Sequence, residues 1–397
     1  MFCDRQRLMR AMTDDGLDLL VATTTENVYY LTGYYSVNKS LIRGVQAYVV
    51  VSREAGGAVG IVAPMADLDT IANVAALHAV PLVPYGTFYI EGDPPDLAGC
   101  EARLHALARG ARPQPGPREA LASLLSGIGA GAAIGVDERG IEPAILEALP
   151  ALLPGCSVRP AFGLLHRVRM VKTPPEVERL ARAARITERA AAAATQAAAA
   201  GMTEREMAVV FEGHLVEEGA RPFFTVILFG QRGVQPNGMP SDAALAPGDV
   251  IRFDVGCMVE GYAADISRTA VFGEPSAKVR DYYRAILHGE EEAIAAMRPG
   301  VAAFEIHRVA VEAAQRAGIP HYRRHHVGHG VGLDVYDPPL LGPQDHTPLE
   351  AGMVFEVETP YYEFGFGGIQ VEDTVLVTPG GADILTQSSR DLWRAGA

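Results

Sequence analysis

The chain has 397 residues, of which 48% are hydrophobic and 21% charged, and its formal net charge is −14. Its length exceeds one ordinary domain and its composition is that of a globular protein with a large core, so we expect two domains. The acidic balance argues against a nucleic-acid partner, which would require a basic patch facing phosphate.

Four scattered cysteines without CxxC spacing argue against a disulfide framework or a zinc knuckle and favour reduced thiols. The first residues, MFCDRQRLMRAMTDDG, carry charge throughout and lack the apolar core of a signal peptide. No apolar run approaches the roughly 20 residues that span a bilayer. We therefore expect a cytoplasmic protein with no membrane partner.

Residues 1–170 alternate short apolar runs with helix-like segments, which indicates an α/β layer domain. The Pro- and Gly-rich stretch 110–117 is interpreted as a loop inside this domain, because a strand follows it. The predicted helices are 5–14 and 66–77, and the predicted strands are 17–22, 47–51, 59–62 and 134–137.

Residues 171–397 form the second predicted domain, which begins with a helix start signal. Thr173 is a candidate N-cap, followed by Pro174 at the first helical position and Glu176 at the third. The Ala-rich helix is predicted to stop at Gly201, and a second helix to run from Thr203 to about residue 219. Strands at 225–229, 250–256 and 263–272, helices at 277–297 and 304–317, and strands at 353–358 and 370–378 complete an α+β prediction.

Two carboxylates lie in the apolar hairpin sequence 248–272. The midpoint between Asp254 and Asp265 falls between Val259 and Glu260, where a turn would place the two aspartates directly opposite each other. Directly opposed residues have Cβ atoms about 5 Å apart. Such close carboxylates repel each other, and burial increases the cost, so a cation between them is favoured.

A second pair repeats this arrangement near the C-terminus. The midpoint between Glu358 and Glu372 is Gly365, inside a glycine-rich loop. Glu356 and Asp373 are interpreted as solvent-facing residues on the other side of the strands. One Asp in a strand is usually solvated, but two symmetric pairs in apolar strands favour a metal site.

The segment from His325 to Gly332 adds histidines in a glycine-rich loop, where the backbone can approach a site closely. A lone histidine would more often be structural, whereas three within five residues favour a site. Four carboxylates and one imidazole suit Mn²⁺, Fe²⁺, Co²⁺ or Zn²⁺. A pair of ions, bridged by carboxylates and a water, would use all five ligands.

These motifs resemble those of the creatinase, prolidase and aminopeptidase P family. The resemblance rests on the His-Gly-x-Gly-Leu-Asp-Val loop, the Val-Glu-Asp-Thr strand and the stretch 26–33 of the N-terminal domain. It implies an α+β "pita-bread" catalytic domain at 171–397, preceded by an α/β creatinase-type domain at 1–170. Creatinase lacks this metal set, so the resemblance favours the metallopeptidases. The matching ligands are Asp254, Asp265, His329, Glu358 and Glu372.

The resemblance also implies a role for each ligand. Asp254 would bind one metal and His329 the other. Asp265 and Glu372 would bridge the two ions. Glu358 would complete the second metal's shell and accept a proton from the attacking water.

Around the ligands, His325 matches a histidine that contacts the substrate or stabilises the tetrahedral intermediate. Three substrate positions depart from the peptidase pattern: Asn237 and Tyr336 replace histidines, and Gln370 replaces an arginine. Asn, Tyr and Gln do not carry positive charge near pH 7, so we expect altered substrate contacts.

The predicted activity is that of a dinuclear metallohydrolase resembling Xaa-Pro dipeptidase and aminopeptidase P. It would cleave an amide-type C–N bond of a dipeptide or a small amide metabolite with a metal-bridging water. We expect two divalent ions per chain (Mn, Co, Fe or Zn), and the resemblance implies a homodimer. The alternatives are a metal-dependent lyase on the same scaffold and a non-catalytic binding protein; the intact ligand set counts against the latter.

Overall fold

The computed structural model describes residues 3–396. The chain divides into two compact units, Met1–Arg169 and Met170–Ala397. Across the described residues, no helix combines the length and the apolar character that crossing a membrane requires.

The first unit is built on one mixed sheet of six strands. These are β1 (Leu19–Ala22), β2 (Tyr48–Ser52), β3 (Gly57–Pro64), β4 (Leu82–Tyr85), β5 (Ala133–Val136) and β6 (Ser157–Pro160). Their order is β4-β3-β2-β1-β5-β6, with β2 antiparallel to both of its neighbours and the other pairs parallel. The helices are α1 (Arg5–Asp14), α2 (Thr25–Thr32), α3 (Val37–Leu41), α4 (Leu68–Asn73), α5 (Gly99–Gly110), α6 (Pro117–Leu125), α7 (Pro143–Leu152) and α8 (Phe162–Arg169).

The core of this unit lies between the sheet and its helices. Val21, Val50 and Ile134 from the strands pack in one buried cluster with Leu121 and Leu149 from the helices. Burial of near-continuous apolar strands by helices is typical of an α/β layer. The predicted α/β layer is therefore confirmed, although the predicted helix 66–77 is divided into α4 and two short 3₁₀ turns.

The second unit contains four helices and twelve strands in the described residues. The helices are α9 (Pro174–Gln196), α10 (Glu204–Glu217), α11 (Ala277–Ala296) and α12 (Ala303–Ala317). The strands are β7 (Arg221–Phe229), β8 (Val250–Val259), β9 (Tyr262–Ala263), β10 (Ile266–Phe272), β11 (Gly328–Gly330), β12 (Asp337–Leu340), β13 (Val354–Glu358), β14 (Tyr361–Glu363), β15 (Gly367–Ile369), β16 (Glu372–Thr378), β17 (Gly381–Ile384) and β18 (Trp393–Ala395).

These strands form two main sheets, one with the order β18-β10-β8-β7 and the other β12-β11-β13-β16-β17. Helices α9 and α10 pack on β8 and β7, and α11 packs on β13. Phe253 and Phe211 lie in the core of the first sheet, and Phe355 and Val375 in the core of the second. The predicted α+β organisation is confirmed.

Helix α9 begins as its sequence predicts. Thr173 and Glu176 form a reciprocal capping box, with Pro174 at the first helical position. The predicted end at Gly201 is wrong, because the helix ends at Gln196 and the backbone N–H of Gly201 bonds to Leu245.

Candidate metal centre

The hairpin β8–β10 carries the two aspartates in a register two residues away from the predicted one. Its turn residues, Glu260 and Gly261, have φ values of 50° and 84°, as a two-residue type I′ turn requires. Asp254 therefore pairs with Ser267, so the prediction that it directly opposes Asp265 is wrong. Asp265 lies two residues from that partner, and diagonal neighbours on one face remain within reach of each other.

The second hairpin has the predicted register. Glu358 pairs with Glu372, and Gly365 lies in its tip with a φ of 81°. The interpretation of Glu356 as solvent-facing is wrong, because residues two apart share a strand face and Glu356 is completely buried on the side of Glu358. Asp373 does face the other way, but it is also buried, accepting a hydrogen bond from Arg268 at 2.7 Å.

The histidine loop reaches the carboxylates through β11, which pairs with β13 and places His329 opposite Glu356. This approach depends on glycine. A Cβ at Gly328, whose φ is 143°, would lie 2.2 Å from the carbonyl oxygen of Glu356. Any side chain there would push β11 away from β13, so Gly328 sets the position of the imidazole.

Three predicted ligands converge here. Ligand atoms of Asp265, His329 and Glu372 all lie within 4.8 Å of one another. His329 Nδ1 lies 3.1 Å from the carbonyl oxygen of Gly330, which favours the proton on Nδ1 and leaves the Nε2 lone pair free for a metal. The Tyr336 ring stacks on this imidazole, with centroids 3.6 Å apart, and restricts its rotation.

The other predicted site residues surround the same centre. A cavity of about 280 Å³ is lined by Asp254 and Glu358 together with Asp265 and Glu372. Its lining also includes all the proposed substrate and catalytic positions, which are Asn237, His325, Tyr336 and Gln370. Residues up to 135 positions apart in the sequence are thus gathered at one cavity.

Burial and crowding make this carboxylate group unfavourable without a cation. Burial raises the pKa of Asp254 to about 6. Burial and the facing carboxylates raise the pKa values of Asp265 and Glu372 well above their usual range. Burial also lowers the pKa of His329 to about 4, so this imidazole is neutral at pH 7.

Glu358 behaves differently from the other carboxylates. Burial opposes its ionisation, but His326 and Arg324 outweigh that effect and hold its pKa below the usual range. His326 Nδ1 lies 3.1 Å from Glu358 Oε1, and the Arg324 guanidinium lies 3.9 Å from the same oxygen. Glu358 is therefore the carboxylate that stays ionised most readily.

The donor set fits a divalent metal. Asp265 Oδ1 and His329 Nε2 are both buried, and neither has a hydrogen-bond partner in the described part of the chain. Unpartnered buried polar atoms are costly. A cation would satisfy both atoms and offset the repulsion among the carboxylates, and carboxylate with imidazole suits Mn²⁺, Fe²⁺, Co²⁺ or Zn²⁺.

The sequence assigned no individual role to four residues at this centre. His326 and Arg324 flank His325 in the chain, and Arg252 lies two residues before Asp254 on the same strand face. Ser267 donates a hydrogen bond of 2.7 Å to Glu372 Oε2. Arg252 was detectable as a cation in an otherwise apolar strand, whereas Ser267 carries no signal without the correct register.

Comparison with known proteins places this geometry in context. The model of metallopeptidase family M24 matches residues 178–379, and that of the creatinase/prolidase N-terminal domain matches residues 5–171. An Xaa-Pro dipeptidase of Pyrococcus furiosus is 37% identical over 231 residues, which cover 58% of this chain and 66%, just under two thirds, of that protein.

Solved structures agree over almost the whole chain. The prolidase from Pyrococcus horikoshii has a TM-score of 0.78 at 25% identity, covering 98% of this chain and 99% of that one. The dipeptidase PepE from Mycobacterium ulcerans has a TM-score of 0.79 at 28% identity, covering 98% of this chain and 96% of that one.

Proposed function

The chain belongs to metallopeptidase family M24, and we propose that it is a metal-dependent dipeptidase that hydrolyses an amide C–N bond of a short peptide, with Xaa-Pro dipeptides as the leading substrates. Its fold is that of the family, an α/β creatinase-type domain followed by an α+β pita-bread catalytic domain. The observation that carries the proposal is the group of Asp265, Glu372 and His329, in which Asp265 Oδ1 and His329 Nε2 are buried without a hydrogen-bond partner among the described residues.

In this proposal five residues would hold two divalent ions, and Asp265 and Glu372 would be ligands of both. Asp254 and Glu358 would supply further carboxylates, and His329 would supply Nε2. Bound ions of this kind polarise a carbonyl group and lower the pKa of water to about 7. Manganese is our first choice of metal, and cobalt, iron and zinc suit the same donors.

The surrounding residues of the chain orient these groups. Gln370 Nε2 donates to Glu358 Oε2 at 3.2 Å, and His326 lies against the other oxygen of that carboxylate. Held in this way and ionised at neutral pH, Glu358 can accept a proton from an attacking water. His325 lines the cavity next to His326, and the burial-lowered pKa of His325 keeps it neutral at pH 7, able to donate one hydrogen bond to substrate.

Three of the proposed substrate contacts are polar but uncharged. Asn237, Tyr336 and Gln370 line the cavity with the carboxylates. Their amide and hydroxyl groups can orient a peptide group without adding charge. This composition is compatible with an Xaa-Pro dipeptide and with a small amide metabolite, so both belong in a substrate panel.

Several finer assignments belong to the same proposal. We place the functional domains at 1–170 and 171–397, expect a homodimer, and expect the protein to act in the cytoplasm. Sedimentation of the purified protein tests the dimer directly. The relatives named above are peptidases, which does not favour the lyase or the non-catalytic binding protein.

Metal content is the first test. Purified protein should contain close to two divalent ions per chain, and Asp254→Ala or His329→Ala should remove both metal and turnover. Exposed Glu292→Gln serves as a matched control that should change neither. Full activity in metal-free protein would refute the proposal.

The second test is a substrate panel on manganese-loaded and cobalt-loaded protein. It contains Xaa-Pro dipeptides, longer peptides with an N-terminal Xaa-Pro, other dipeptides, and small N-acyl and guanidino compounds. Release of free proline from the dipeptides is the expected result. Turnover of an amide metabolite alone would keep the metallohydrolase and reject the dipeptidase, and elimination without water uptake would indicate the lyase.

A further inference from the structure

Two arginines reach the candidate metal centre, and their guanidinium groups are in different states. Arg252 is completely buried, and both of its Nη atoms donate hydrogen bonds. It donates to Asp254 Oδ2 and Gln370 Oε1, both at 2.9 Å, and to the carbonyl oxygens of Gln235 and Pro236 at 2.7 and 3.1 Å. These bonds engage both Nη atoms of Arg252 within the chain, and among the described residues only its buried Nε has no partner.

The guanidinium of Arg324, in contrast, faces the cavity. The side chain of Arg324 lines the cavity and is only 12% exposed. Its guanidinium lies 5.8 Å from the ring centroid of Tyr362, and its buried Nε has no hydrogen-bond partner within residues 3–396. Among the described residues, the nearest charge partner is Glu358, at 3.9 Å, which is longer than a hydrogen bond.

Once two divalent ions are bound, the carboxylates that line the cavity no longer balance the positive charge of Arg324. Four carboxylates line the cavity, from Asp254, Asp265, Glu358 and Glu372. Two divalent ions, as in the proposed function on which this step rests, would offset those four charges. Glu358 would then be engaged by metal, and Arg324 would remain as a desolvated cation facing the cavity.

We infer that Arg324 forms a carboxylate-binding subsite and that the substrate carries a free α-carboxylate near the scissile amide. A guanidinium offers a planar fork that binds carboxylate through two parallel hydrogen bonds, and contact with an aromatic ring such as Tyr362 favours one orientation of that plane. The cavity volume of about 280 Å³ is at the low end for ligand sites and fits a dipeptide better than a long chain.

Kinetics with paired substrates test this subsite. An Xaa-Pro dipeptide and its C-terminal amide are compared in the manganese-loaded wild type, Arg324→Gln, Arg324→Lys and the control Arg323→Gln, which changes the exposed neighbour. For Arg324→Gln we expect kcat/KM of the free acid to fall about 10- to 100-fold, mainly through KM, because a hydrogen bond to a charged group is lost. The amide should change little, Arg324→Lys should retain part of the preference, and Arg323→Gln should behave as wild type.

Equal losses for the acid and the amide in Arg324→Gln would overturn the subsite while leaving the peptidase intact. Circular dichroism melting of each variant identifies any loss that is only misfolding. If Arg324→Gln misfolds, the test rests on Arg324→Lys. A folded lysine variant whose ratio of kcat/KM for the acid to that for the amide is unchanged would contradict bidentate recognition.

Binding without turnover separates this inference from the proposed function. Calorimetry of metal-loaded protein with free proline and with prolinamide should give binding of proline that weakens in Arg324→Gln and not in Arg323→Gln. If no peptide is cleaved but this pattern holds, the carboxylate subsite stands and the dipeptidase fails. If peptides are cleaved and proline binds both variants equally, the subsite fails and the dipeptidase stands.

Discussion

The guanidinium of Arg252 lies 2.9 Å from the side-chain oxygen of Gln370, and this contact connects strand β8 to the segment between β15 and β16 at the candidate metal centre. The same nitrogen donates to Asp254, and the amide of Gln370 donates to Glu358. A continuous set of hydrogen bonds therefore links Asp254 to Glu358. These are the two carboxylates that we assign to separate metal ions.

Replacement of Arg252 by glutamine should destabilise the metal-free protein. Asp254 would lose its buried counter-charge, and breaking a buried ion pair from one side costs about 3–5 kcal/mol in the free energy of unfolding. The loss should be smaller in metal-loaded protein, because bound cations supply positive charge to the same carboxylate. Urea unfolding with a chelator and with saturating Mn²⁺ measures both values.

The exchange variant Arg252→Gln/Gln370→Arg is the matching control. It keeps one guanidinium and one amide at positions 252 and 370, so it should recover part of the stability that Arg252→Gln loses. Equal destabilisation of Arg252→Gln in both metal states would show that this side chain acts through packing and not through its charge.

The metal-free protein should lose stability as pH rises above about 6.5. The pKa values of Asp265 and Glu372 are raised in the folded state, so the folded chain binds more protons than the unfolded chain, and the free energy of unfolding falls with pH. The slope is at most about 1.4 kcal/mol per pH unit for each retained proton. The lowered pKa of His329 has the opposite effect, because it makes the free energy of unfolding rise with pH. This effect ends at about pH 6.5, the pKa of histidine in the unfolded chain.

Denaturant unfolding across this pH range, with and without Mn²⁺, provides the measurement. Metal-loaded protein should show a shallower slope, since carboxylates that bind a cation are already deprotonated. Parallel profiles in the two metal states would contradict the assignment of Asp265 and Glu372 as ligands.

The sequence predicted the identity of the converging residues better than their geometry. Apolar alternation located both hairpins, but the first turn is centred one residue later than the symmetry of Asp254 and Asp265 suggested. A symmetric carboxylate pair is one of several possible registers, and the observed register requires a positive φ at Glu260, which residues other than glycine rarely adopt.

The sequence also did not predict that an arginine from another strand would contact Gln370. Gln370 was identified as a position without the expected arginine, yet Arg252 places a guanidinium against Gln370 from a strand 118 residues away in the chain. A comparison of aligned positions shows that the arginine is missing at position 370. It does not show that a guanidinium reaches the same place from another strand. Glu356 was misplaced for a simpler reason, because residues two apart on a strand share a face.

Glu356→Gln should make the protein more stable at pH 8. Burial raises the pKa of Glu356 to about 8, so its ionisation costs stability between its unfolded pKa and that value. The neutral amide removes this cost in both metal states and should reduce the pH slope by up to about 1.4 kcal/mol per unit. Exposed Glu292→Gln is the control with no expected change in slope; an unaltered slope in Glu356→Gln would mean that Glu356 titrates normally.

Ser267→Ala should weaken metal binding while leaving the fold intact. The Ser267 hydroxyl donates to Glu372 Oε2 at 2.7 Å from a completely buried position. Donors that orient a metal-binding carboxylate are worth about 10- to 100-fold in metal affinity, so we expect at least a tenfold loss in Mn²⁺ or Co²⁺ affinity by calorimetry. The Co²⁺ absorption spectrum should shift as well, because the orientation of a ligand changes. The control is Ser389→Ala, which removes a hydroxyl that bonds to Asp391 in the C-terminal segment. A comparable loss of metal affinity in this control would indicate a general effect of serine removal. An unchanged metal affinity in Ser267→Ala would show that Ser267 does not orient Glu372 for metal binding.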